Sequence, residues 1–304
     1  MMFKNAIVYL VDPAYRIDPA LLRRQSARQC GATELRTDGF CAPCDHAEGL
    51  VHVVAGHQLI CLQTEEKLLP SAVIAEAVKE AVETVEESQG HRVGRKQMKE
   101  IKERVTLDLL PQAFTTKKRT FALIVGEYFI IDTSSAAKAD VVLTALRKAL
   151  EMPLAQLRPV LSPASAMNNW LLSGECPSGF TVDRDCELRD STEEKATVRY
   201  VHHDLEGDEI RAHIAAGKSA TRLGITWSNR VSFVLTDQFQ IKRLAFMDFL
   251  KEEAEQEAET MAELFDADIA IMAGELSRMI ADLTTELGGI IRPKPDLIDG
   301  EATP

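Results

Sequence analysis

Residues Gly217–Phe246 read GKSATRLGITWSNRVSFVLTDQFQIKRLAF. Three runs in this stretch, Ala220–Trp227, Arg230–Thr236 and Gln238–Leu244, are of strand length and rich in β-branched and aromatic residues. A period of two gives one face to Leu223, Ile225, Trp227, Val231, Phe233 and Ile241. It sends Arg222, Arg230 and Lys242 to the other. Lys218 and Arg243 stand close by in the chain. A polar outer face is ordinary for an antiparallel sheet. This one is short of acid, although the chain holds 47 Asp and Glu against 35 Lys and Arg. The asymmetry favours a face that meets phosphate.

Working outward, Phe3–Val11 predicts a first strand, and Asp18-Pro19 an N-cap and first position of a helix to about Gln29. Leu50–Ala55 and His57–Gln63 predict a hairpin about Gly56. Pro70–Glu87 and Arg95–Leu110 predict two helices separated at Gly90 and closed by Pro111, together a helical hairpin. Thr120–Val125 and Tyr128–Asp132 form a second strand pair, followed by a helix from Ser134 or Ser135 to about Leu150. Beyond a short helix at Ala166–Leu172 come a strand at Thr197–His202 and a helix at Glu206–Ala216. After the three runs above, helices are expected at Met247–Leu264 and Ala267–Leu287, then a polar tail. Strands and helices do not alternate regularly, so the class is α+β, with antiparallel or mixed sheets, a protruding helical hairpin and C-terminal helices. The expected modules are residues 1–69 with 111–158, the hairpin tip 70–110, and 159–304.

The 304 residues are 45% hydrophobic and 27% charged, as in a folded globular protein. No run approaches the roughly 18 uncharged apolar residues of a membrane span. The start reads as a strand and not a signal peptide. Six cysteines at 30, 41, 44, 61, 176 and 186 are expected to be reduced thiols in a cytoplasmic protein. The net charge of −12 excludes a protein that coats nucleic acid over its whole surface, but not one with a single basic surface.

Positive charge does concentrate. HRVGRKQMKEIKER (His91–Arg104) holds six Lys or Arg against two Glu. Arg95, Lys99 and Lys102 share a helical stripe beside the apolar face, and Lys117-Lys118-Arg119 follows. The bland alternative is a solvated face laced with i,i+4 pairs. Acid collects elsewhere, as in Glu252, Glu253 and Glu255.

Catalytic candidates are few. Cys41-Ala-Pro-Cys44, with His46, His52, His57 and Cys61 after it, has the spacing of a redox dithiol or half a zinc site, but no second C-x-x-C completes it. Gly217-Lys218-Ser219 lacks the upstream glycine of a phosphate loop, since position 212 is Ala. Adjacent His202 and His203 point to opposite faces of a strand. Neither a nucleophile–base pair nor a base-reading module stands out, and aromatics are only 6% of residues, too few for single-strand stacking. No catalytic residue, metal or cofactor is assigned.

The chain resembles the bacterial recombination-associated protein RdgC family over nearly its whole length. The resemblance rests on FKNAIVYLV (Phe3–Val11), EEKLLPSAVI (Glu65–Ile74), LLPQAF (Leu109–Phe114), the quoted Gly217–Phe246, and FDADIAIMAGELSRMI (Phe265–Ile280) with Leu287-Gly288-Gly289. It implies a ring-shaped homodimer that encircles double-stranded DNA with little sequence preference and restrains RecA-driven strand exchange. It implies no enzymatic activity and a nucleoid-associated, cytoplasmic location. By position it implies phosphate contacts from Lys218, Arg222, Arg230, Lys242 and Arg243, and second from Arg95, Lys99 and Lys102. Lys117, Lys118 and Arg119 depart from the family's more neutral pattern there. The hairpin is expected to form the smaller, separable contact of the ring. Two other readings remain: a thiol or zinc enzyme centred on Cys41, Cys44, His46 and Cys61, and an acidic oligomeric scaffold that binds no DNA.

Overall fold

Strand β1 (Asn5–Leu10) is central because both its faces are apolar: Ala6, Val8 and Leu10 enter one core, and Ile7 enters another. The computed structural model describes residues 1–190 and 195–292; the expected polar tail lies mostly outside them. After β1 come α1 (Pro19–Leu22), β2 (Arg36–Cys41), β3 (Val51–Val54) and β4 (His57–Lys67). The hairpin helices α2 (Ser71–Gln89) and α3 (Arg95–Leu109) precede β5 (Thr115–Val125), β6 (Tyr128–Ile131), α4 (Ala136–Ala149) and the two-residue β7 (Ala155–Gln156). The second half runs through α5 (Pro163–Ser173), β8 (Phe180–Asp190), β9 (Thr197–Tyr200), α6 (Asp208–Ala215), β10 (Lys218–Trp227), β11 (Val231–Thr236) and β12 (Ile241–Phe246). It closes with α7 (Asp248–Glu257) and α8 (Met261–Glu286).

The strands form one path, β2-β4-β5-β6-β1-β12-β11-β10-β8-β9, with β3 added to β4 and β7 to β1. The pairings between these strands are antiparallel, and the class is α+β as expected. β1 joins the halves: Asn5 stands opposite Lys242, and Ile7 opposite Ile131.

Packing gives the two halves different surfaces. Ile7, Ile60, Ile124 and Phe129 pack against α4, whose Val142 and Leu146 face them. Val8, Leu59, Leu123 and Ile130 share the other core with α5, α8 and the inner face of β10–β12. There Leu223, Ile225, Val231, Leu235 and Ile241 are fully buried, each stabilising the fold by about 1.5–3 kcal/mol. On the opposite face of β10–β12, Arg222, Ser232, Val234 and Lys242 stay partly accessible.

The hairpin projects. α2 has no buried residue and α3 only Ile101 and Val105. Gly90 ends α2 with φ +71°, and its N–H bonds the Glu86 carbonyl at 2.9 Å. Val73, Met98 and Leu107 stay exposed along it.

Four expectations are corrected. The helix after Asp18 stops at Leu22 and passes into a 3₁₀ turn, although Asp18 does cap it by accepting from the Ala20 N–H at 2.8 Å. β12 starts at Ile241 and not Gln238, because Phe239 has φ +54° and belongs to the turn. The last two helices separate at 258–260 and not 265–266. A capping box sets that start: Thr260 Oγ accepts from the Glu263 N–H at 3.2 Å and Glu263 Oε2 from the Thr260 N–H at 3.1 Å. Strands β2 and β8 were not anticipated, and β8 changes the charge of the outer sheet face.

Candidate nucleic-acid interface

β8 pairs with β10 and places Asp183, Asp185 and Glu187 beside the cations of the outer face. The expectation of an acid-poor face is therefore corrected. Arg222 Nη1 lies 3.5 Å from Glu187 Oε2, and Arg243 Nη1 lies 3.6 Å from Asp185 Oδ2. Thr226 Oγ donates to Asp183 at 2.9 Å; burial outweighs that bond and raises the Asp183 pKa. A β-carbon at Gly224 would sit 3.2 Å from the Asp183 Cβ, so β8 runs close over this strand.

Lys242 and Arg243 both reach this face because β12 bulges. Arg243 has φ +53°, and the register with β11 shifts between Ser232 and Val234. Arg222, Lys242 and Arg243 then line one groove with Arg199 and Tyr200. Among the described residues Lys242 has no carboxylate in ion-pair range. Lys218 is only 13% exposed and sits 3.6 Å from Asp190.

Arg230 leaves the group. It follows the Ser228-Asn229 turn, where both residues have positive φ, and its side chain turns to α8 instead of the outer face. Its Nε and Nη2 donate to Glu275 at 2.7 and 3.0 Å, and its guanidinium lies 5.2 Å from the Phe249 ring centre. The Glu275 hydrogen bonds raise the Arg230 pKa further.

The α3 cations are the most accessible. Arg95, Lys99 and Lys102 are all exposed, and the sole described ion pair among them is Lys99 to Glu103 at 3.8 Å, i to i+4. Such a pair is worth a few tenths of a kcal/mol, about 0.3–0.5. Arg92, Lys96 and Arg104 extend the exposed surface. On β5, Lys117 lies 3.9 Å from Glu65 Oε2, a buried oxygen without a hydrogen-bond partner, and Lys118 lies 3.8 Å from Glu66. Lys117 is thus counterion to a buried carboxylate. Arg119 is exposed on the same strand.

The cysteines divide. Cys41 ends β2 directly opposite Cys61 on β4. The hydrogen bond with Cys61, aided by Arg119 and opposed by burial, draws the Cys41 thiol down to about 7; the same bond pushes Cys61 up. Alkylation of Cys41 should therefore rise with pH about a midpoint near 7, with Cys61 inert, and Arg119→Ala should move that midpoint upward. Peptide mass spectrometry after timed iodoacetamide treatment reads this; a Cys41 midpoint near the ordinary ~8.5 would contradict it. Cys44 belongs to a different cluster. Its Sγ lies 3.5 Å from His46 Nε2, and His46 and His52 both place Nε2 on Asp266 Oδ1, at 3.1 and 2.7 Å.

Among the described residues no helix is long and apolar enough to cross a membrane. The family model described as "Putative exonuclease, RdgC" matches residues 1–290. A protein of Dechloromonas aromatica (strain RCB) named "Recombination-associated protein RdgC" is 46% identical over 301 residues, covering 95% of this chain and 98% of the relative. One of the same name from Janthinobacterium sp. (strain Marseille) is 44% identical, covering 97% and 100%. A third, from Cupriavidus pinatubonensis (strain JMP 134 / LMG 1197), is 48% identical over 259 residues, covering 84% and 86%. With its open basic surfaces carried on a chain matched this completely, the protein belongs to the RdgC family.

Proposed function

We propose that this chain binds double-stranded DNA through its phosphates, without reading sequence, as a homodimer closed into a ring, and so restrains RecA-mediated recombination. The observation that carries the reading is the exposed, mostly unpaired row Arg95, Lys99 and Lys102 on a projecting hairpin of an acidic chain. Lys242, Arg243 and Arg222 supply a second contact, where phosphate must compete with Asp185 and Glu187. Arg119 and Lys118 supply a third. Lys218 and Arg230 act mainly through their own carboxylate partners. The exposed Val73, Met98 and Leu107 suit a small contact between hairpins that opens to admit DNA.

A binding role, and not hydrolysis, is favoured by the carboxylates themselves. Metal-assisted phosphodiester cleavage uses acids converging on ions about 3.5–4 Å apart. Asp183, Asp185 and Glu187 instead go to Thr226, Arg243 and Arg222 separately. Nor do Cys41 and Cys44 converge as a redox enzyme's dithiol would; Cys41 faces Cys61.

Binding to two unrelated duplexes across a salt series tests the proposal. Equal affinities and a steep salt slope are expected, with no nucleotide release from linear duplex in Mg²⁺ or Mn²⁺. Absence of binding at 50 mM salt would sink the DNA reading in favour of a scaffold. Released nucleotides that track the protein through purification would overturn the non-enzymatic part.

A further inference from the structure

The cluster around Asp266 has chemistry that neither the fold nor DNA binding uses. Cys44 and His46 come from the loop between β2 and β3, His52 from β3, and Asp266 from the first turns of α8. The sulfur and one nitrogen of each histidine lie within 4.8 Å of one another. Asp266 stands outside that mutual 4.8 Å, but its Oδ1 touches both imidazoles, so a small swing toward Cys44 would make it a fourth donor. We infer that Cys44, His46, His52 and Asp266 form a tetrahedral site for a divalent transition metal of the zinc class.

Three features distinguish this from a plain hydrogen-bonded group. First, both histidines turn the same nitrogen, Nε2, to one carboxylate oxygen, and the thiol turns to one of those nitrogens. Thiol, imidazole and carboxylate, the donor types of a zinc site, are thereby gathered into one small volume. Second, ligand bonds of about 2.0–2.3 Å at tetrahedral angles place neighbouring donors roughly 3.3–3.6 Å apart. The Cys44–His46 and His46–Asp266 separations, 3.5 and 3.1 Å, are close to that, and His52–Asp266 at 2.7 Å has to open by about half an ångström. Third, the Phe265 ring stands against both imidazoles, with centroids at 5.5 and 6.0 Å, and walls one side from water.

Mixed thiolate, imidazole and carboxylate donors suit zinc better than magnesium or calcium, which take oxygen ligands. Four protein ligands leave no open position, so the site is structural and not catalytic. On binding, the Cys44 thiol releases its proton to solvent and the thiolate bonds the ion. Asp266 lies 214 residues beyond His52. The ion would therefore staple α8, the helix at the centre of the second-half core, to the first-half sheet. The N-terminal ammonium also meets α8 at Asp268, two residues further on. This inference is independent of DNA binding.

The test uses the untagged full chain, stripped of metal and titrated with Co²⁺ alone. Binding of one Co²⁺ per chain is expected, with the intense visible bands of tetrahedral cobalt and a thiolate-to-metal band. Cys44→Ser should remove the thiolate band, and His52→Ala should weaken binding at least tenfold. Cys41→Ser should change neither. The weak bands of octahedral cobalt, no binding at all, or loss of the thiolate band in Cys41→Ser instead would overturn the inference. Should Cys44→Ser fail to fold, the wild type decides: stoichiometric Zn²⁺ should raise its melting temperature and EDTA should reverse this, and an unmoved melting temperature counts against the site.

Discussion

Reversing three charges on α3, by Arg95→Glu, Lys99→Glu and Lys102→Glu together, is expected to flatten the salt dependence of duplex binding and to weaken it most at low salt. All three side chains are exposed, and only Lys99 has a described carboxylate neighbour. Each phosphate contact contributes about 0.9 to the slope of log K against log salt. Losing three lowers the slope by about 2.7 per chain. Between 50 and 200 mM salt, that removes roughly 40-fold of the affinity change seen in the wild type. The fold should survive, since exposed substitutions of this kind stay within about ±0.5 kcal/mol. The pair Arg222→Glu with Lys242→Glu should have a smaller effect, because Glu187 already neutralises Arg222. Electrophoretic or fluorescence titrations of all three proteins on one duplex rank the two surfaces. If the sheet pair flattens the slope more than the α3 triple does, the leading contact moves to the groove of Lys242 and Arg243.

That ranking differs from the one the sequence invites, for reasons found in particular residues. The helical hairpin is legible because Gly90 and Pro111 punctuate two long apolar stripes. β10 and β11 are legible because their alternation is regular, and Leu223, Ile225, Val231 and Phe233 are buried as it requires. β8 is hidden because TVDRDCELRD carries four acids and two arginines. Its pairing with β10 also slips twice, between Ala220 and Arg222 and between Leu223 and Ile225, so no clean period of two survives. Without that strand the outer face reads as short of acid.

The bulge at Arg243 is equally silent, since positive φ at an arginine has no sequence signature. The capping box Thr260-Met-Ala-Glu263 was readable and would have placed the start of α8 correctly. The Cys44 cluster was half legible. Cys44, His46 and His52 are neighbours in the chain, but Asp266 enters only through the packing of α8 on β3. Sequence proximity paired Cys44 with Cys41, whereas strand register gave Cys41 to Cys61.

Arg230→Ala is expected to cost stability and to leave the salt slope of DNA binding unchanged. Glu275 is 2% exposed on the inner side of α8, and its carboxylate receives Arg230 bidentately and Arg278 from the next turn. Arg230, at 33% exposed, keeps partial contact with water and rests on Phe249. The asymmetry decides the sign. Removing the arginine leaves a buried anion with a single, more exposed partner, which costs about 3 kcal/mol, the low end for breaking a buried pair because Arg278 remains. For a chain of 304 residues that is a fall of roughly 5 °C in melting temperature. Replacing both partners, as Arg230→Met with Glu275→Leu, removes the stranded charge and should recover most of the loss, since buried ion pairs gain little over apolar packing. Chemical denaturation of Arg230→Met, Glu275→Leu and the double completes the cycle. A double variant as unstable as the sum of the singles would show that the pair is not coupled. A stable Arg230→Ala with a flattened salt slope would mean that Arg230 meets phosphate after all, as alternation along β11 alone had suggested.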